Sequence, residues 1–181
     1  INDRRLWPFY EKAQELGIPL TLHTGVSYVC PQPNSHCHPQ QLDDVALAFP
    51  DLKMIAYHAG WPYTEELIGL CGKHKNLYMS LSGIFGWYQR SPYRGYHAIG
   101  TALQWVPADK IVLGFDLPFD DLPRVTDYIR DLSMPEELQE KWGYAQVTDE
   151  DKAKILGLNL AKLTGIEPTK RAKFTAAKPT K

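Results

Sequence analysis

Three short apolar runs, each stopping on a residue that can bind a metal and then turning sharply, constrain this chain more than any other feature. They are Pro19-Leu20-Thr21-Leu22-His23 before Thr24-Gly25, Met54-Ile55-Ala56-Tyr57-His58 before Ala59-Gly60-Trp61-Pro62, and Ile111-Val112-Leu113-Gly114-Phe115-Asp116 before Leu117-Pro118. Short β-prone runs separated by helix-length segments read as strands of a parallel sheet. Such sheets carry their chemistry at the carboxyl ends of the strands. Two histidines and an aspartate in that position suit a divalent metal such as zinc, manganese or iron.

The segments between the runs fit this reading. In residues 4–16, Leu6, Phe9, Tyr10, Ala13 and Leu16 recur at helical spacing, and Gly17 stops the helix before a first strand at 18–23. A polar loop at 24–38 leads to a helix from Pro39 to about Phe49, then a second strand at 53–58. A helix over 62–74 turns Leu67, Leu70 and Cys71 inward, and a third strand at 76–82 stops at Gly83. An aromatic loop, a helix over 93–105 and a fourth strand at 110–115 follow, with further helices expected at 121–131, 149–156 and 159–164. The pattern is four β-loop-α units. A TIM barrel needs eight such units and typically ~250 residues. Either the units form a small doubly wound sheet, or they are half of a barrel.

Composition narrows the partners. A net charge of −1 gives no electrostatic case for nucleic acid or a membrane surface, and no apolar stretch approaches the length of a spanning helix. Three cysteines, Cys30, Cys37 and Cys71, are few and odd in number, so a reducing cytoplasm is expected rather than a disulfide framework. The chain begins Ile1-Asn2-Asp3 without methionine, and further sequence is expected upstream. Residues 168–181 hold five basic residues and no acid, and are expected to be a solvated tail following a domain at 1–167.

The strand-end residues and their flanks resemble the amidohydrolase superfamily, and within it the amidohydrolase-related (amidohydrolase 2) branch of metal-dependent hydrolases and decarboxylases. The matching stretches are Gly17 to Gly25, Phe49 to Pro62, Lys75 to Gly83 and Lys110 to Pro118. Asn159-Leu160-Ala161-Lys162-Leu163-Thr164-Gly165 is similar to the family's closing helix. The branch includes aminocarboxymuconate semialdehyde and resorcylate decarboxylases and several lactonases. The resemblance implies the α/β fold of the C-terminal half, strands five to eight, of a (β/α)8 TIM barrel. It makes His23 the strand-five metal ligand, His58 the strand-six histidine and Asp116 the strand-eight aspartate. The chain departs from the family twice. No paired first-strand His-x-His or Glu-x-His is present, and Phe115 stands where a small Ser or Thr usually precedes the aspartate, so its ring is expected to bear on the pocket.

The candidate ligands lie 35 and 58 residues apart, so they meet only if the fold brings strand ends together. Catalytic zinc keeps about three protein ligands and an open position, and brings the pKa of its water to about 7. The resemblance implies that His23, His58 and Asp116 bind the metal, with Asp116 also taking a proton and His58 orienting water or polarising a carbonyl. The plain alternative is that each merely caps its strand, a coincidence that would have to occur three times. Cys30 with His36-Cys37-His38 has ligand types that suit zinc but no Cys-x-x-Cys pairing, and a place on the site's rim is the simpler account. His74 and His97, in helices away from strand ends, read as structural or surface residues. In the loop after the third strand, Trp87, Tyr88 and Arg90 are candidate substrate-binding residues, with Tyr93 and Arg94 close behind. The rings would stack and the arginine would clamp a carboxylate, unless they simply pack the loop.

A metal-dependent hydrolase of an ester, lactone or amide is expected first, and a non-oxidative decarboxylase of an aromatic or dienoic acid second. Oxygen-using chemistry with two metals stands third. A non-catalytic barrel half or subunit is the reading from a different class. A small, carboxylate-bearing substrate, an oligomeric assembly and an N-terminal barrel half in the same or another chain are the expected partners.

Overall fold

The structure, a computed structural model, describes residues 1–28, 32–83, 91–116 and 121–168. Helix α1 spans Trp7–Glu15, with Pro8 in its first turn, where a missing N–H costs nothing. A 3-10 turn, Arg4–Leu6, leads into it, capped by Asp3 accepting from the Arg5 N–H at 2.9 Å. Strand β1 is Leu20–Leu22, α2 is Gln41–Ala48, β2 is Met54–Ala56 and α3 is Thr64–Lys73. Strand β3 is Leu77–Ser80, α4 is Pro92–Trp105 and β4 is Ile111–Val112. Helices α5 (Leu122–Arg130), α6 (Glu136–Trp142), α7 (Asp149–Ala153) and α8 (Asn159–Thr164) follow, the last two joined by a widened π turn at Lys154–Leu158. Helix α6 was not expected from the sequence. It is seven residues long, starts after Pro135 and stops at Gly143, whose φ of 69° ends the helix in the left-handed region.

The four strands are parallel and lie in chain order, β1-β2-β3-β4, as expected. Thr21 pairs with Ile55 and Ile55 with Tyr78; the next row runs Leu22, Ala56, Met79, Ile111. The regular strands are shorter than the apolar runs, although the ladder continues beyond them. Tyr57 N–H donates to Leu22 O at 2.8 Å and Leu81 N–H to Val112 O at 2.9 Å. Strands β1 and β4 are the sheet's two edges. On the β4 side, Leu113 N–H donates to Ile155 O at 2.9 Å, so the π turn covers part of that edge.

Alternation along each strand sorts side chains between the two faces. Met54, Ala56, Leu77, Met79, Leu81 and Ile111 join the large core with Leu42, Val45, Leu67, Ile68 and Ile99 from the helices. Burying each such large side chain contributes about 1.5–3 kcal/mol. Ile55 and Val112 form a separate cluster on the opposite face, with Leu163 of α8 and the partly buried Tyr57 and Tyr78. At the amino ends of the strands, polar side chains tie the layers together. Asn76 donates to Phe49 O at 2.9 Å and Leu52 O at 3.1 Å, and Asn159 to Ala108 O and Ile111 O, both at 2.7 Å. The Lys110 ammonium donates to His74 O, Lys75 O and Leu77 O at 2.8, 2.7 and 2.9 Å.

Candidate metal centre

Beyond β2 the chain turns through three consecutive left-handed residues: His58 at φ 59°, Ala59 at 46° and Gly60 at 67°. Such a turn is unfavourable for residues bearing a Cβ, so its surroundings must hold it. The His58 N–H donates to Ser82 Oγ at 3.2 Å, and Trp61 N–H donates back to His58 O at 2.9 Å. Thr24, fully buried, donates its hydroxyl to Tyr57 O at 2.5 Å. Gly25, at φ 87°, lies so close to this turn that a Cβ there would stand 2.0 Å from Trp61 O. The turns after β1, β2 and β3 are thus fitted to one another, which is why glycine and threonine follow the first apolar run.

His23 follows β1 and is exposed, while His58 is half-buried beside it, with ring centroids 4.7 Å apart and planes at 62°. Partial desolvation by the surrounding strand ends, and then the neighbouring His58, hold the His23 imidazole below its ordinary pKa, with Asp116 pulling the other way. The neutral form, the one that can bind a metal, is thereby favoured. Asp116 follows β4 and reaches toward Gly83. A Cβ on Gly83 would lie 3.1 Å from His58 Nδ1 and 3.4 Å from Asp116 Oδ2, so the missing side chain leaves room for both groups. Gly114 makes room in the same way two residues before Asp116: its Cβ would stand 2.4 Å from Ser80 Oγ and 2.8 Å from Ser82 Cβ.

All three predicted ligands therefore stand at the carboxyl end of the sheet. Yet among the described residues no group of three His, Cys, Asp or Glu side chains comes together closely enough to hold a metal ion. His23 and Asp116 follow the two edge strands of the sheet, with β2 and β3 between them. The donor types fit a divalent metal.

Phe115 does not bear on this end as the sequence suggested. It packs against the helix-side core, and alternation sends the neighbouring Asp116 to the other face. Trp87, Tyr88 and Arg90 lie outside the described residues, as do Cys30 and residues 169–181. Tyr93, expected near the rim, donates its hydroxyl to Glu137 at 3.1 Å and so joins α4 to α6. Cys37 is buried and accepts from Gln32 Nε2 at 2.9 Å, whereas His36 is exposed and the His38 ring packs on Tyr63 at 4.1 Å. These three do not converge. His74 is buried with Nε2 2.5 Å from Asp43 Oδ1, and His97 pairs with the Tyr144 hydroxyl. Burial pushes the Cys71 thiol up to about 12, which leaves it a neutral core residue. Thr24, Ser82 and Gly83 were not singled out from sequence. Small residues just after apolar runs were the only signal, and nothing in them announces chemistry.

Comparison with known proteins adds an independent view of the chain. A protein-family model described as amidohydrolase matches residues 1–166. Among solved structures, an uncharacterized TIM-barrel protein from Bordetella bronchiseptica is similar, with 26% identity, a TM-score of 0.68, and coverage of 91% of this chain and 52% of that one. A dihydroxybenzoic acid decarboxylase from Polaromonas sp. JS666, with bound manganese and the inhibitor 2-nitroresorcinol, has a TM-score of 0.63 at 17% identity, covering 93% and 56%. A 2-pyrone-4,6-dicarboxylic acid hydrolase, so described as putative in Pseudomonas putida, has a TM-score of 0.55 at 19% identity, covering 93% and 59%. No curated protein matches. The chain spans about half the length of the structures it matches, so its four βα units correspond to half of a barrel.

Proposed function

The chain belongs to the amidohydrolase family, whose members are enzymes, and on that premise we propose that it carries one side of a metal-dependent hydrolytic site for an ester, lactone or amide. The observation that carries the reading is the His23–His58 pair, 4.7 Å apart at the ends of adjacent strands, with Asp116 facing His58 across Gly83. His23 and Asp116 would hold the divalent ion, zinc before manganese or iron, with His58 beside them. Such an ion supplies Lewis acidity and makes water a stronger acid. Asp116 then accepts a proton from the attacking water, and His58 polarises the substrate carbonyl. Arg90 clamps a substrate carboxylate while Trp87 and Tyr88 stack on its apolar part.

Decarboxylation is the second reading, favoured by the fold shared with the manganese-bound decarboxylase. The carbon–carbon bond to the carboxylate breaks, carbon dioxide leaves, and Asp116 or His58 returns a proton to the ring carbon. In either case the site is completed by roughly four more βα units from another segment or chain, within an oligomer. With two cysteines buried and free among the described residues, we place the protein in a reducing cytoplasm.

The test is metal analysis of the protein purified with whatever supplies the other half. Assays with a lactone and with a dihydroxybenzoate come next, before and after chelation. Bound divalent metal and chelator-sensitive lactone opening support the first reading, and release of carbon dioxide the second. A closed barrel that binds no metal and turns over neither substrate defeats both.

A further inference from the structure

We infer that residues 154–164 form a strap over the β4 edge, occupying the positions through which a further strand would pair. The chain thereby keeps one edge of its sheet shut and offers the other, at β1, to whatever completes the barrel. The inference rests on the reading that further βα units complete it, and adds which seam has to wait.

Backbone direction shows how the two edges differ. In a parallel ladder one residue turns its N–H and C=O to one neighbouring strand, and the next residue turns its own to the other side. Val112 O accepts from Leu81 N–H at 2.9 Å, so Val112 faces β3, while Ile111 and Leu113 face outward. Their outward groups are engaged within the chain. Ile111 N–H donates to Ala108 O, Ile111 O accepts from Asn159 Nδ2 at 2.7 Å, and Leu113 N–H donates to Ile155 O at 2.9 Å. At the other edge, Leu20 N–H donates to Lys53 O at 2.9 Å and Leu22 O accepts from Tyr57 N–H at 2.8 Å, so both residues face β2. Thr21 between them turns its N–H and C=O outward. It is exposed, and among the described residues no further strand pairs with β1. Phe9, Leu16 and Ile18, on the approach to β1, are 60%, 59% and 51% exposed.

The strap also joins the two faces of the sheet. Ile155 is buried in the helix-side core, whereas Leu163 is buried with Ile55 and Val112 on the opposite face, where Lys53 Nζ donates to Leu163 O at 3.2 Å. A short segment anchored on both faces has to pass round the sheet, and its bonds to Ile111 and Leu113 place that passage at β4. In a closed barrel this gap is the seam with the next strand. Leu113 has a single N–H, so the strap and a pairing strand cannot both hold it. Completion therefore starts at β1, and the β4 seam forms only once the strap lets go of Leu113. The strap also guards against self-pairing. The β4 edge of one copy and the β1 edge of a second continue the same parallel order, and two copies make up the eight strands of a closed barrel.

Hydrogen exchange and sedimentation test this. In the 15N-labelled chain in dilute solution, the Leu113 amide should be protected and the Thr21 amide should exchange freely. Asn159→Ala removes the side-chain bonds to Ala108 O and Ile111 O, and should speed exchange at Leu113 by about 10- to 100-fold relative to the Tyr57 amide. At higher concentration the freed edge should give the variant a rise in sedimenting mass beyond that of the wild type. Wild-type exchange as fast at Leu113 as at Thr21 overturns the proposal, and that measurement needs no variant to fold. A folded Asn159→Ala protein with unchanged exchange at Leu113, or with faster exchange and no added mass, overturns it as well. Neither readout involves metal or turnover, so a lack of bound metal or of activity would sink the functional reading alone.

Discussion

The two ends of the same four strands are built on opposite principles. At the amino end, Asn76, Asn159 and Lys110 each reach several backbone carbonyls at 2.7–3.1 Å, and two of the three are buried. Each of these side chains uses its donors to hold one element to another. At the carboxyl end, His23 and Asp116 follow the two edge strands of the sheet. The backbone there takes left-handed turns that local hydrogen bonds must support. One end is organised to lower the free energy of the fold, the other to present reactive groups at some cost to it. Such a division is general in barrels, whose active sites lie at the carboxyl face while the opposite face serves stability.

Substitutions at the two ends should therefore separate stability from metal binding. The largest loss of stability is expected from Asn76→Ala, which strips a buried donor from the carbonyls of Phe49 and Leu52. Unfolding by denaturant should show a loss of about 3 kcal/mol with the metal affinity of the folded protein unchanged. A loss below about 0.5 kcal/mol would break the comparison, because the amino end would then not be the stabilising one.

Gly83→Ala should cost less, about 1–2 kcal/mol, from its φ of 72° alone. It should also disturb the chemical end, since the new methyl would press on His58 Nδ1 and Asp116 Oδ2. Wild-type metal affinity in this variant would show that neither group needs its present place.

His23→Ala, at an exposed position, should change stability by no more than about 0.5 kcal/mol, and Asp116→Ala is its companion variant at the other edge strand. Both should abolish activity and reduce bound metal in the completed barrel, whereas His58→Ala should lose activity with a smaller loss of metal. Full metal occupancy in both of the first two variants would refute their role as ligands.

The smallest effect is electrostatic. Partial desolvation and His58 hold the His23 pKa below its ordinary 6.5, while Asp116 raises it. Between the lowered folded value and the unfolded one, the unfolded chain binds more protons. The contribution of His23 to stability is therefore full above the unfolded value and is lost as pH falls through the folded one. In the metal-free protein, NMR titration should place the His23 midpoint below that of a free histidine. His58→Ala should move it up and Asp116→Asn further down. A midpoint at or above the free value would mean that the pair does not interact.

Much of this was legible in the chain because it depends on local chemistry. The apolar runs named the strands, the helix-length spacings made them parallel, and the residue ending each run stands at the carboxyl end of the sheet. Element boundaries were less legible. The runs overshoot the regular strands, because ladder pairing depends on neighbouring strands rather than on apolar character. Helix α6 was missed because seven residues carry too little periodicity to register.

Sequence alone determined the order of elements, the two-residue alternation and the kinds of donor at the carboxyl end, all set by local propensities and by adjacent residues along the chain. Tertiary structure decided what those donors touch. It sent Phe115 into the helix-side core, gave Tyr93 to Glu137, and brought Ser82 under His58 from a strand 24 residues away. It also left His23 and Asp116 on opposite edges of an open sheet. Contacts of this kind depend on register, curvature and closure, which arise between strands and are written in no single one of them.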